Sequence, residues 1–222
     1  MDKRFLTKTE YVYMELKEKI GNGHFKKDEI YTVIDIAEQI GVSRTPVSGA
    51  IKILESEGYV VLYPGLGFKI KETSVAEARE SLLISGALEK VAFNYLIENS
   101  VVNTKILKDL RALVAESAEA IKNGDREGCV ASANAYHNNV YGLVDLPQVK
   151  KLLKDHAFLH ENWYKSAVTY CSDRIVVLVE DHNKILDALG DNDLNQLNYI
   201  IKNHEEHCFE ALKEVLLKGG IS

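Results

Sequence analysis

The thirteen residues from Asp35 to Val47, DIAEQIGVSRTPV, constrain the fold more than any other part of the chain. They predict two short helices joined by a tight turn. Thr32 stands where a hydroxyl caps a first helical turn, and Asp35, three residues on, completes a capping box. Gly41 can take the left-handed backbone conformation that closes this helix, after which Val42 and Ser43 turn the chain into a second one with Ser43 as its N-cap. Pro46 suits the first turn, where N–H groups lack helical acceptors and a fixed φ is an asset. The second helix divides into two faces. Val47, Ala50, Ile51 and Leu54 recur at the spacing of a buried stripe, whereas Arg44, Ser48 and Lys52 fall four apart on the other side. A helix-turn-helix places the second helix in a major groove with its N-terminal residues on base edges, which puts Arg44 and Thr45 where they can read or grip DNA. An ordinary amphipathic helix pair is the plainer alternative, and the next segment weighs against it.

Tyr59 to Tyr63 and Phe68 to Ile70 are β-branched and aromatic runs separated by Pro64-Gly65-Leu66-Gly67, the composition of a hairpin. This hairpin is the expected wing. A preceding helix from about Lys8 to Ile20, with Val12, Leu16 and Ile20 inward, ends at Gly21-Asn22-Gly23 and completes a winged helix-turn-helix.

Residues Tyr11 to Ile70 resemble the DNA-binding domain of GntR-family bacterial transcription regulators. The resemblance is carried by Ile40-Gly41-Val42-Ser43-Arg44-Thr45-Pro46-Val47 and by Leu54-Glu55-Ser56-Glu57-Gly58-Tyr59. It implies an operator-binding dimer in which Ser43, Arg44, Thr45 and Ser48 meet the groove while the wing tip, Gly65 to Gly67, approaches the minor groove or backbone. The DNA-contact set is then Ser43, Arg44, Thr45, Pro46, Ser48 and Lys52, with Gly65, Gly67 and Lys69 from the wing. Family members usually carry arginine where Ser48 stands, and often another near Leu66, so the base-reading pattern departs here from the family's.

Residues 1–71 hold 11 Lys and Arg against 10 Asp and Glu, and the rest of the chain holds 16 against 23. A reader this weakly basic predicts modest non-specific binding and reliance on two half-sites. Lys3, Arg4, Lys8, Lys26, Lys27, Lys69 and Lys71 are candidate phosphate contacts. No apolar run of about 18 residues and no signal-peptide pattern occurs, which predicts a cytoplasmic protein with no membrane partner. Cys129, Cys171 and Cys208 lie far apart and are odd in number, as suits reduced thiols packed as small hydrophobes.

After Thr73 the strand signals stop. Helical patterns broken at Asn99 to Asn103, Asn123 to Asp125, Asp145 to Pro147, Cys171 to Asp173 and Gly190-Asp191 predict about six helices. The expected fold class is mainly α, with a winged helix-turn-helix over residues 1–72 and an all-helical domain over 73–222. Three of these helices aim an imidazole at the core. His204 lies in the stripe Leu197, Ile201, Cys208, Leu212 and Val215. His182 lies among Ile175, Leu178, Val179, Ile185, Leu186 and Leu189, and His137 lies with Val130, Ala133, Val140 and Tyr141. One inward histidine is usually a satisfied core residue, but three on separate helices could converge as ligands for zinc, nickel or a similar divalent metal.

The helical domain is similar to the FCD effector domain of the FadR-like branch, VanR type. The resemblance rests on Ala87-Leu88-Glu89, Tyr136-His137, and Asp181 to Leu189 followed by His204. It implies a homodimer whose effector pocket holds His137, His182 and His204 as metal ligands, joined by an aspartate one turn before the first, around a small organic acid. Here Ala133 occupies the aspartate position, and Ser85 replaces the arginine usual one turn before Glu89. The pocket then uses either a metal with an extra open position, or Ser85, Asn134 and the histidines as hydrogen-bonding groups. His156 and His160 are further candidates, though a packed aromatic face explains them better. His204-Glu205-Glu206-His207 superficially resembles a zinc-protease motif but has the wrong spacing. A metal-dependent hydrolase is therefore the alternative function; it lacks an evident general base beside the cluster and leaves the winged helix-turn-helix unexplained.

Overall fold

The computed structural model describes residues 6–21, 24–26, 28–72, 74–153, 164, 167–169 and 172–218. The chain divides into two compact units, residues 1–73 and 74–220. In the first, α1 (Lys8–Gly21), α2 (Val33–Ile40) and α3 (Arg44–Ser56) precede an antiparallel hairpin of β1 (Val60–Tyr63) and β2 (Gly67–Ile70). Val60 pairs with Ile70 and Tyr63 with Gly67.

Helix α1 packs on α3 through Val12, Leu16 and Ile20, all buried as their spacing predicts. The Thr32 hydroxyl accepts the Asp35 N–H at 3.1 Å and donates to the Asp35 carboxylate at 2.8 Å, so the start of α2 is doubly tied. Gly41 has φ +73°, and its N–H and that of Val42 both donate to the Ala37 carbonyl at 3.0 Å, closing the helix. Ser43 has the extended backbone of an N-cap, but its hydroxyl makes no capping hydrogen bond.

The wing is tied to the rest of the unit by a contact that the strand pattern did not reveal. Tyr31 and Phe68 exchange both backbone hydrogen bonds, at 2.8 and 2.9 Å, and the Phe25 ring meets the Tyr31 ring edge-on at a centroid distance of 4.8 Å. Gly67 sits inside this contact. Its φ is +137°, and a Cβ built on it would lie 2.3 Å from the Tyr31 carbonyl oxygen.

The second unit contains α4 (Val75–Glu98), α5 (Thr104–Lys122), α6 (Arg126–Leu143), α7 (Ser172–Gly190) and α8 (Leu194–Leu217), with residues 147–153 also helical. Two of the predicted breaks end in N-caps, and a third cap, Asp193, lies two residues past the predicted break at Gly190-Asp191. Asn103 accepts from the Ile106 N–H, Asp125 from Gly128 and Asp193 from Gln196, each at 2.9 to 3.0 Å. Ser74 and Glu77 form a full capping box at the head of α4. Each such cap contributes about 1 kcal/mol. Helix α5 packs on α6 and α7, and α8 on α7 and α4. Their shared core includes Phe93, Leu96, Tyr136, Val140, Leu186 and Leu197. Cys129 and Cys208 are free thiols buried in this unit, while Cys171 lies outside the described residues.

Gly67→Ala must move Tyr31 or abandon the positive φ. It should cost about 2 kcal/mol or more in urea unfolding and lower Tm, whereas Gly65→Ala, with open space around the added Cβ, should cost less. Equal, negligible losses in both variants would contradict this account of the wing.

Candidate nucleic-acid interface and effector site

Helix α3 buries Val47, Ala50, Ile51 and Leu54 almost completely. Ser43, Arg44, Thr45 and Lys52 are exposed and Ser48 is half-buried, so the polar ridge stands outward because the opposite face is consumed by the core. Pro46 is a correction to the expected contact set. It is buried among the apolar residues of α3, where its ring packs in the first turn and cannot meet a groove. Gly67 is half-buried and packs against the Tyr31 carbonyl. Gly65 is exposed at the turn. Lys69 is half-buried, with its ammonium 5.9 Å from the centre of the Tyr63 ring. Of the candidate phosphate contacts, Lys26 is held by Glu29 at 2.7 Å, and Lys3, Arg4 and Lys27 lie outside the described residues.

In the helical unit, α6, α7 and α8 bring His137, His182 and His204 into a row. The ring centres of His137 and His182 are 5.0 Å apart, and those of His182 and His204 are 4.9 Å apart. Tyr136 stacks on His182 at 4.4 Å, and its buried hydroxyl has no hydrogen-bond partner among the described residues. Two buried carboxylates flank the row. Glu89 of α4 lies 3.5 Å from His137 Nδ1 and accepts a short hydrogen bond from the Tyr141 hydroxyl. Asp181, 1 % exposed, lies 3.4 Å from His204 Nδ1 and 2.6 Å from His207 Nδ1, with Lys184 at 3.2 Å. His204 Nε2 faces the Cys208 sulfur at 3.5 Å.

These contacts set the electrostatics. Burial alone would raise the Asp181 carboxyl, but hydrogen bonds from His204 and His207 outweigh it and hold the group at about 2. Burial disfavours a charged His204; Cys208, the Asp181 carboxylate and Glu89 overcome it and push His204 well above its usual range. Burial and the neighbouring Glu89 raise Tyr141, which stays a protonated donor.

Sequence reasoning placed the three histidines but missed their acid partners. Asp181 falls three residues after Leu178 and four before Ile185, and Glu89 falls seven after Leu82 and four before Phe93. A charged residue in register with a buried stripe was the available signal. Glu89 also supplies a carboxylate beside the cluster, which the pattern had seemed to lack. Ser85 is buried one turn before it on α4. Asn134 is half-buried and, one residue past Ala133, points about 100° away from it. His156 and His160 lie outside the described residues.

The residues present fit a metal poorly. Ala133, 4 % exposed, offers no donor, and among the described residues no group of three His, Cys, Asp or Glu side chains stands where it could hold an ion. What the row offers is imidazole N–H and lone-pair groups, with Glu89 beside His137, Asp181 beside His204 and the Tyr136 ring stacked on His182.

The sign of the Asp181 contribution to stability follows from its depressed value. Its usual value is 3.8, so the unfolded chain binds the proton more tightly than the folded one. The stabilisation, about 2 kcal/mol, is complete above pH 4 to 5 and is lost as the pH falls toward 2. Asp181→Asn should therefore be less stable than the parent at pH 7, with the gap in urea midpoint closing as the pH falls from 5 to 2. A gap that stays constant over that range would remove the charge argument.

Residues 8–70 match the profile described as bacterial regulatory proteins, gntR family, and residues 81–207 match the FCD domain. The chain is 26% identical over 210 residues to the HTH-type transcriptional regulator YdhC of Bacillus subtilis, covering 93% of this chain and 92% of that one. It is 25% identical to the Uxu operon regulator of Haemophilus influenzae, covering 90% and 80%. Among solved structures, E. coli McbR/YncC shares the fold with a TM-score of 0.76 at 20% identity, over 96% of this chain and 100% of that one. A putative GntR regulator from Rhodococcus gives 0.72 at 16% identity, over 94% and 98%. No enzyme function is supported, the hydrolase alternative included. The chain belongs to the gntR family of bacterial regulatory proteins and carries an FCD domain, which makes it a ligand-sensing DNA-binding transcription regulator.

Proposed function

We propose that this regulator binds a pseudo-palindromic operator as a cytoplasmic homodimer, reading it with Ser43, Arg44, Thr45, Ser48 and Lys52, and responds to a small molecule at the histidine row. The observation that carries the DNA-facing half is the exposure of this ridge opposite a fully buried apolar face. Two such helices in a dimer meet half-sites about 34 Å apart. The exposed face of α4 suits the pairing: Leu83, Ile84 and Val91 are exposed with Ala87 between them, an apolar stripe that a second copy would cover. No helix among the described residues is long and apolar enough to cross a membrane.

The effector site comprises His137, His182 and His204 with Ser85, Glu89 and Tyr136. The organic acid implied by the resemblance would meet Ser85 where a guanidinium is usual, and imidazole N–H groups where a metal is usual. We favour a pocket that works by hydrogen bonding over one centred on zinc or nickel, because Ala133 removes the carboxylate and no chelating triad is formed among the described residues.

Full-length protein should select a duplex from a randomised pool. Arg44→Ala should weaken that binding about tenfold or more, and Val91→Asp should lower both affinity and dimer content in sedimentation. Unchanged binding by Arg44→Ala would remove the recognition-helix assignment. Elemental analysis of protein purified without a histidine tag should find far less than one metal per chain, with no difference in a His137→Ala/His182→Ala/His204→Ala variant. Near-stoichiometric zinc or nickel that the variant loses would instead establish a metal-centred pocket.

A further inference from the structure

Helix α4 carries a glycine that the helix itself does not require. Gly86 lies mid-helix without a positive φ, where alanine is the better helix former. Its neighbour on α8 accounts for it. A Cβ built on Gly86 would stand 3.0 Å from Glu205 Oε2 and 3.1 Å from Glu205 Cδ, so the Glu205 carboxylate rests directly on the α4 backbone. Glu89 follows Gly86 by three residues and Ser85 precedes Glu89 by one turn, both buried on the same side of α4. Burial raises the Glu205 carboxyl, Glu206 and Glu89 raise it further, and Arg79 and Lys202 offset this only in part. Arg79 is engaged with other groups, 3.7 Å from Glu206 and with its guanidinium over the Phe209 ring at 4.3 Å. Between Arg79 and the exposed Lys90, α4 has no Lys, Arg or His. A buried hydroxyl lies in the field of Glu89 as well. Tyr136 is 1 % exposed, its oxygen has no hydrogen-bond partner among the described residues, and Glu89 adds to the upward shift that burial gives it.

We infer that the effector carries a protonated amine, held where α4 meets α8 by the Glu89 and Glu205 carboxylates with the Ser85 and Tyr136 hydroxyls as further acceptors. This rests on the reading of the histidine row as the effector site. An ammonium group offers three donors and no acceptor, and the four groups named can all accept. Bonds from an ammonium to carboxylates are charge-assisted, and their strength grows as water is excluded. A carboxylic acid without an amine would instead bring a like charge to Glu89 and Glu205, with no cation on this stretch of α4 to meet it. An organic acid that enters the row must therefore bring an amine with it. Gly86 has a role in the same account, since a side chain there would push the Glu205 carboxylate off the helix and away from Glu89.

The test uses full-length protein and matched compounds at equal ionic strength: amino acids, the 2-hydroxy acids that differ from them only by hydroxyl for ammonium, and simple alkylamines. Ammonium compounds should raise Tm by several degrees where their hydroxy counterparts do not. Glu89→Gln and Glu205→Gln should each weaken that binding about tenfold or more. Response to alkylamines as well as amino acids supports the site and assigns it to the ammonium alone; response to amino acids only supports it and adds a carboxylate contact. If hydroxy acids shift Tm as much as their amino counterparts, or if no amine shifts it, the inference is overturned. A ligand-free cycle judges the same site independently. Ser85→Lys places an ammonium in cis one turn from Glu89, so it should lower Tm less in the parent than in the Glu205→Gln background, and equal losses in the two would also overturn the inference. Failure of the underlying reading looks different. A compound that shifts the His137→Ala/His182→Ala/His204→Ala variant as much as wild type binds away from the row, while the Ser85→Lys cycle still decides whether a cation subsite exists.

Discussion

A helix offers its domain one face, and a side chain on that face must be apolar or find a partner there. Both functional regions of this regulator follow from that constraint, in opposite ways. In α3 the buried face is entirely hydrocarbon, so Arg44, Thr45 and Lys52 are displaced outward without any dedicated support. In α7 and α8 the buried face includes histidines, and an imidazole in a hydrocarbon core costs stability unless its N–H and lone pair are met. The bundle answers this in part, with Asp181 buried 3.4 Å from His204 Nδ1, which still makes no hydrogen bond among the described residues, and with Glu89 buried beside His137 of α6. Those acids in turn could not be buried alone. The polar centre is therefore a mutually dependent set, and removal of one member leaves another charge or donor exposed to a low-dielectric interior.

Much of the fold could be read from the chain because it is local. Gly41, the Thr32 cap, the hairpin glycines and the caps at Asn103, Asp125 and Asp193 act within three or four residues, where sequence spacing equals spatial proximity. The histidine stripes were legible for the same reason, since helical periodicity fixes which residues share a face. What escaped depends on contacts between distant segments. Tyr31 meets Phe68 across 37 positions of chain, and only that contact gives Gly67 a packing role. Pro46 misled for a related reason: its place in the first turn was clear, but whether its ring faced solvent or core depended on the neighbours of α3. Glu89 reaches His137 from another helix, and no spacing rule links positions on separate helices.

The departures from the family pattern can be weighed together. Loss of the aspartate at Ala133 and of the arginine at Ser85 removes one negative and one positive side chain, so the net charge of the pocket is unchanged while its chemistry changes. A metal-centred site holds an acid by coordination and a guanidinium clamps it from outside; both act strongly and with fixed geometry. In the reading proposed above, imidazoles and tyrosine hydroxyls would instead hold an effector through several weaker, directional contacts. Such a site selects on the position of donors and acceptors.

The covalent layout bears on how such a site could be coupled to DNA. Ser85 and Glu89 stand on α4, a helix of 24 residues whose first turn is fixed by the Ser74–Glu77 capping box. Only residues 71–73 separate that box from the end of β2, the strand that carries Lys69 and closes the wing. If an effector bound at this row changes operator affinity, linkage requires that operator DNA change effector affinity by the same factor.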